Sequence, residues 1–485
     1  MNLKYFKNLY LILNNFKFFI IIILSLFLSL HIIILEYFTI NLNNNYIKIK
    51  NDLKLTFNNS IKNKIRIGIF AYCIKNGGRA RISALLINNI YKYNIFDIYL
   101  YTKEEKEKNE YNIPLNIKRK VLTKNIVRNI QKDKINILIY QLSYIEEIEK
   151  LNNIKNIKII YYLHSSFLFW VYSNYSTFKS LYKEYIKANY IITLIPLESD
   201  YLFKKWGINS ILMDNFISYN FNLIFPSDLS SQTILMIGRG NDRLKRFELG
   251  IEAMAFIIKE IPNCKMIIIS ELKYISYLQD YVKELKLEEN IEFVGFTPIP
   301  EIYFKNASLH IFPTITEAFP MVLCETKIYG IPNILIGIDY ISIANGGTII
   351  IYNDNPEDIS NEAIKILKNK KYRKKLGKEA RKSMRKYNNN LLNKKWIKLI
   401  LSIYNGNKYY EIIKKKDHTL SNNIALKQIQ NQINLLKKRI KYFNNKITIK
   451  NIENFTFLQD LDYNEEYKYN ISDYIKNLII NNSKI

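Results

Sequence analysis

A chain of 485 residues, 48% of them hydrophobic and 24% charged, has the length for two or three domains with full cores. That composition excludes a disordered chain. The formal charge of +28 would suit a nucleic-acid binder, but Lys, Asn, Ile and Tyr, whose codons are AT-rich, are abundant together, and no aromatic RNA-binding motif, zinc-finger spacing or internal repeat accompanies the charge.

Nucleic acid is therefore not an expected partner. The remaining basic excess suits an anionic membrane surface or an anionic donor. Cys73, Cys264 and Cys324 are sparse and lie in apolar runs. They read as buried thiols, with neither a disulfide framework nor the spacing of a metal site. No metal is expected.

At the amino end, residues 18–38 form an apolar run interrupted near its middle only by Ser25, Ser29 and His31, with Glu36 close to its end. A helix of that length covers a hydrocarbon core of ~30 Å, and the apolar side chains outweigh the polar ones. The reading is a retained single-pass signal-anchor, with no small-residue cleavage site after it. Lys4, Lys7 and Lys17 precede it, so residues 1–17 are expected to stay cytosolic and the rest to face the lumen of an endomembrane (ER or Golgi in a eukaryote). Residues 39–64 read as a polar stalk.

From there, short apolar runs alternate with helical patterns. "IRIGIF", "DIYLY", "INILIY", "IKIIYYL" and "YIITLI" predict buried parallel strands in a first doubly wound α/β domain over residues 65–224. Pro, Ser and Asp in "FPSDLSSQT" mark a linker at 225–233. "ILMIG", "KMIIIS", "IEFVG", "LHIFP", "IPNILIG" and "GTIII" restart the rhythm in a second domain over 234–405. Two such facing domains predict a cleft at the carboxyl ends of both sheets. In the tail, 406–485, apolar residues from Leu426 to Phe443 follow heptad spacing. Packing back on the domains or self-association through residues 424–443 both account for that short coiled-coil seam.

The chemistry concentrates in "ITEAFPMVLCETKIYGIPNI", residues 315–334. Pro320 suits the first turn of a helix running to about Tyr329, and Gly330 suits its stop. The amino end of that helix offers N–H groups and positive dipole to a diphosphate. Glu317 stands before the helix and Glu325 within it, placed to touch two parts of one elongated ligand. In "MIGRGNDRLKRFELGIEAM", Arg239 follows a strand and Lys245 precedes a helix. Two cations aimed at a pyrophosphate would each give a charge-assisted hydrogen bond. Arg243 and Arg246 read as solvated neighbours; the ordinary alternative for the two glutamates is helix chemistry, a capping-region acid at Glu317 and a partner for Lys327 at Glu325.

On "GRGNDRLKRF", "IEFVGF" and residues 315–334, with its two glutamates eight positions apart, the chain resembles the retaining glycosyltransferases of family 4, which have the GT-B fold. The likeness spans about residues 65–404. It implies that Arg239 and Lys245 hold the diphosphate of a nucleotide-sugar, that Glu317 binds hydroxyls of the transferred sugar, and that Glu325 binds the ribose. Backbone around Ala318, Phe319, Pro320, Met321 and Val322 would cradle sugar and phosphate. In "AYCIKNGGRARISALLINNI", Gly77 and Gly78 would let backbone approach the donor, and Arg81 sits where the family often has Arg. His164 would stand near the reacting centre, and Asn215 would shape the crossover between domains. Ala318 replaces a usual Gly, and Arg246 a common Gly after the lysine.

The activity so implied is metal-independent transfer of a hexose, without a cofactor, from a nucleotide-sugar to a glycan or lipid-linked hydroxyl, with the leaving phosphate taking the acceptor proton. Three rivals compete with it. A dinucleotide oxidoreductase needs a Gly-x-Gly-x-x-Gly turn that "FAYCIKNGGRAR" lacks. A non-catalytic scaffold derived from a glycosyltransferase, associating through its tail, sits poorly with intact Arg239, Lys245, Glu317 and Glu325. A nucleic-acid binder is disfavoured by the codon-linked composition.

Overall fold

The computed structural model describes residues 64–406, apart from 76, 109, 123–124, 169–174, 219–223, 240–242, 272–274 and 298, together with 431–432 and 434–435. The predicted membrane segment at 18–38, residues 1–17, nearly all of the stalk and most of the heptad seam lie outside the described residues. Among the described residues no helix is long and apolar enough to cross a membrane.

In chain order the first domain comprises β1 (Ile65–Ala71), α1 (Gly78–Tyr91), β2 (Phe96–Thr102), β3 (Lys118–Val121), α2 (Ile126–Lys132), β4 (Ile137–Tyr140), α3 (Ile145–Asn152), β5 (Lys158–Tyr162), α4 (Tyr175–Tyr185), β6 (Tyr190–Thr193), α5 (Pro196–Trp206) and β7 (Ile211–Leu212). Its strands make one parallel sheet in the order β3-β2-β1-β4-β5-β6-β7. All four residues of β4 and six of the seven in β1 are buried. A strand covered by helices on both faces needs such an unbroken apolar run.

The second domain contains β8 (Thr233–Ile237), α6 (Phe247–Glu260), β9 (Lys265–Ile269), α7 (Ser276–Glu284), β10 (Ile291–Val294), α8 (Glu301–Phe304), β11 (Leu309–Phe312), α9 (Met321–Ile328), β12 (Asn333–Ile336) and β13 (Thr348–Ile351). The helices α10 (Pro356–Lys368), α11 (Lys370–Ser383) and α12 (Asn389–Asn405) follow. The sheet is again parallel, in the order β10-β9-β8-β11-β12-β13. Its core joins Ile234, Met236, Met254, Ile268, Ile311 and Ile336.

Both sheets reverse direction of growth beside their first strand, between β1 and β4 and between β8 and β11. Loops leaving the two strands at such a point part to opposite faces and open a crevice at their carboxyl ends. Every residue singled out from the sequence for the donor lies on one of these loops or on the helix after it.

The last helix crosses back. In α12, Trp396 is fully buried with its ring 5.4 Å from that of Tyr162, the last residue of β5. Asn393 donates to Asn89 of α1 at 3.1 Å. Asn389 exchanges two bonds with the backbone of Ile217, at 3.1 and 2.7 Å. The end of the second segment thus supports the first sheet.

Candidate active site

After β11, the chain turns through Thr314 to Pro320 and enters α9. Pro320 is the N-cap in an extended conformation, and no side chain caps the helix. No acid stands in its first turn. The open N–H groups and helix dipole make this end attractive to an anion. α9 ends at Ile328, with Gly330 at φ 71°, close to the predicted stop. A Cβ on the facing Gly377 of α11 would lie 2.3 Å from the Gly330 carbonyl, so the two glycines let these helices close up.

Lys245 reaches the same place from the loop after β8. Its ammonium donates to Glu317 and lies 5.7 Å from the centre of the Phe312 ring. The stem of Lys245 packs on Gly238, where a Cβ would meet Lys245 Cγ at 3.3 Å. Glu317 also accepts from the Thr314 hydroxyl at 3.2 Å, and its backbone N–H donates to Tyr340 Oη at 3.1 Å. The predicted phosphate cation and the predicted sugar-binding carboxylate are therefore direct partners. Arg239 is exposed, and its charge is felt by Arg79 of the first domain. Ala318, Phe319, Pro320 and Met321 are buried, with Phe319 edge-on to Tyr387 at 5.6 Å.

Glu325, 3% exposed, accepts from Arg81 of α1, an ion pair that joins the two domains. Burial pushes its carboxyl up to about 7, against the lowering pull of Arg81. Gly77, at φ 85°, caps α1 without a side chain, and Gly78 opens the helix. Only glycine takes that φ freely. Both glycines are exposed in the turn between β1 and α1.

His164 follows β5. Its Nε2 donates to Gln141 Oε1 at 2.8 Å, and its ring lies 4.1 Å from that of Tyr162. Nδ1 is buried with no hydrogen-bond partner among the described residues. Desolvation first, and the Arg79 charge second, push its pKa down to about 3, so the ring is neutral near pH 7. It lines a cavity of about 30 Å3 with Ser143, Tyr185 and Glu198. Asn215 is buried and accepts from the Tyr162 hydroxyl, a structural contact at the crossover.

One sequence reading is corrected and one alternative falls. Arg246 is not a solvated neighbour: it is 2% exposed, donates to the Pro313 carbonyl and to Asp354 at 2.6 Å each, and adopts φ 48°. The left-handed position left by the usual Gly is thus filled by an arginine held by two buried bonds. Lys327 is not the partner of Glu325. Its ammonium is buried and bonds the carbonyls of Ile343 and Asn345, and burial lowers its pKa to about 7. Sequence reasoning passed over Arg79, which stands within electrostatic reach of His164 and Arg239. Its place next to Gly78 was the available signal.

Residues 224–383 match the family model described as glycosyl transferases group 1. An uncharacterized glycosyltransferase of Haemophilus influenzae is 25% identical over 146 residues, which is 29% of this chain and 40% of that protein. The poly(glycerol-phosphate) alpha-glucosyltransferase of Bacillus subtilis is 26% identical over 150 residues, 30% of this chain and 22% of that protein. The matched segment thus spans two fifths or less of these relatives. In three dimensions the chain is similar to sucrose-phosphate synthase from Thermosynechococcus elongatus, with a TM-score of 0.61 at 15% identity over 71% of this chain and 100% of that one. Anabaena HepE, in complex with UDP and glucose, gives a TM-score of 0.56 at 15% identity over 70% of this chain and 99% of that one. These likenesses identify the fold as GT-B.

Proposed function

We propose that this chain, whose residues 224–383 match the model of glycosyl transferases group 1, transfers a hexose from a nucleotide-sugar to an acceptor hydroxyl with retention at the anomeric carbon. The observation that carries this reading is the meeting of Lys245 with Glu317 in front of the uncapped amino end of α9. A glycosyl donor needs a cation where its diphosphate departs and a carboxylate where its sugar hydroxyls lie, and these two groups stand side by side.

In the transfer, the bond from the anomeric carbon to the phosphate oxygen breaks and a bond to the acceptor oxygen forms on the same face. The acceptor proton passes to the departing phosphate. Charge growing on that phosphate is met by Lys245, Arg239 and the N–H groups of α9, fixed before the reaction begins. His164, neutral and held by Gln141, offers a polar ring edge rather than a charge. Glu325 takes the ribose, exchanging Arg81 for two hydroxyl donors. UDP is the first nucleotide to test, since HepE is seen with it. The acceptor is a glycan or lipid-linked hydroxyl, held near a bilayer by residues 18–38.

A panel of nucleotide-sugars with product stereochemistry read by NMR tests the proposal. One donor should be consumed and its anomeric configuration kept in the product. Inversion would remove the retaining mechanism, and no turnover with any donor would remove the transferase reading.

A further inference from the structure

The turn that carries Glu317 is held from two places. At its start the Ile315 N–H donates to the Leu244 carbonyl at 2.8 Å, which ties it to the loop of Lys245. At its end it meets Tyr340, 23 residues further along the chain, in the connection between β12 and β13. The phenol oxygen of Tyr340 accepts from the Glu317 N–H at 3.1 Å and shares a hydrogen bond with the Thr316 hydroxyl at 2.9 Å.

That connection, residues 337–347, is built as a platform rather than a loose loop. Ile338, Ile341, Ile343 and Ala344 are all buried. The buried ammonium of Lys327, on α9, bonds the carbonyls of Ile343 and Asn345. Burying an ammonium is costly unless its protons are bonded, and both of these acceptors belong to the connection. The Tyr387 hydroxyl donates to the Ser342 carbonyl at 2.7 Å, and the Tyr352 hydroxyl to Asp339 at 2.8 Å. Gly347 turns at φ 64° against the Leu376 carbonyl of α11, where a side chain has no room. The backbone is thus anchored on both sides of Tyr340.

We propose that Tyr340 is the positioning residue of the donor-sugar carboxylate: its hydroxyl, fixed by the 337–347 platform, holds the backbone of Glu317 so that the carboxylate faces Lys245. The Thr314 hydroxyl bonds the carboxylate itself at 3.2 Å, which orients the side chain but not the backbone that bears it. Accuracy there matters, because a misplacement of about 1 Å in a catalytic group can cost on the order of 10²-fold in rate. The role in sugar transfer rests on the transferase reading; the grip on the turn does not.

The test is Tyr340→Phe in the full chain, which removes one oxygen and keeps the ring. Hydrogen exchange resolved to single amides should show the Glu317 N–H exchanging about tenfold faster in the variant, with residues 341–347 unchanged. With the nucleotide-sugar that the wild type consumes, kcat should fall about tenfold. The Kd for UDP, which carries no sugar, should stay within about twofold. Thr316→Val leaves the bond to the Glu317 N–H in place and should lose less on both counts. Unchanged exchange at Glu317, or unchanged kcat with lowered thermal unfolding, would overturn the proposal. Weakened UDP binding would overturn it by assigning Tyr340 to the nucleotide, and an equal loss in Thr316→Val by assigning the grip to the hydroxyl pair. If the wild type consumes no nucleotide-sugar, the transferase reading falls, and exchange at Glu317 alone decides whether Tyr340 holds the turn.

Discussion

Glu325 carries the clearest pH signature of the site. In the ligand-free protein its carboxyl titrates at about 7, raised by burial and held back by Arg81. Hydroxyls that donate to it favour its charged form. Donor affinity should therefore rise as pH increases through about 7 and level off above, which calorimetry between pH 6 and 8 would detect. Replacing Arg81 by Gln removes the opposing charge, so the midpoint of that rise should move upward; an unmoved midpoint would assign the titration to another group. Arg246 presents a different single-residue problem. Its left-handed backbone costs roughly 1–2 kcal/mol, but removing the side chain leaves Asp354 and the Pro313 carbonyl without their buried donor. Breaking a buried pair costs about 3–5 kcal/mol. Arg246→Gly should thus lose stability on balance, by roughly 2–4 kcal/mol in a urea titration. The resemblance implied that Arg246 stands where a glycine is common, but not that its guanidinium turned inward: Asp354 lies 108 residues away. A still longer separation, 244 residues, hid the pairing of Arg81 with Glu325.

Elements defined by long apolar runs were legible. Strands such as β1, β9 and β12 lie within a residue or two of their predicted limits. The helix α9 starts at the predicted residue because proline and glycine punctuate it locally. β3 escaped notice. Its sequence, Lys-Arg-Lys-Val, has no apolar pattern, because an edge strand is half solvated and charge there deters pairing with another chain. The two-residue β7 was too short to stand out. The path of α12 was also hidden, since an amphipathic pattern tells which face is buried but not against what. Trp396 is its anchor, fully buried beside Tyr162. Trp396→Ala should cost about 3–5 kcal/mol. Because Tyr162 precedes His164 by two residues, the loss should register in hydrogen exchange of β5 and its loop. Protection lost only within α12 would show that the helix supports itself alone.

At the scale of the whole molecule, function follows from where two similar sheets change direction. Each switch point opens a crevice, and the second domain fills its own with groups suited to an activated sugar. The first domain contributes Arg81 to Glu325, so the two domains meet through a pair that the nucleotide would have to divide. The repeat of alternating strands and helices was enough to foresee both domains. The assembly of the cleft depended on contacts between residues hundreds of positions apart, which a linear pattern does not encode. The central claim is that Lys245 and Glu317, at the head of α9, hold the diphosphate and sugar of one donor. Its most direct test is turnover of the preferred nucleotide-sugar by the wild type, Lys245→Ala and Glu317→Ala. Each variant should lose on the order of 10²–10³ in rate while keeping its thermal unfolding; equal turnover by all three proteins would contradict the account.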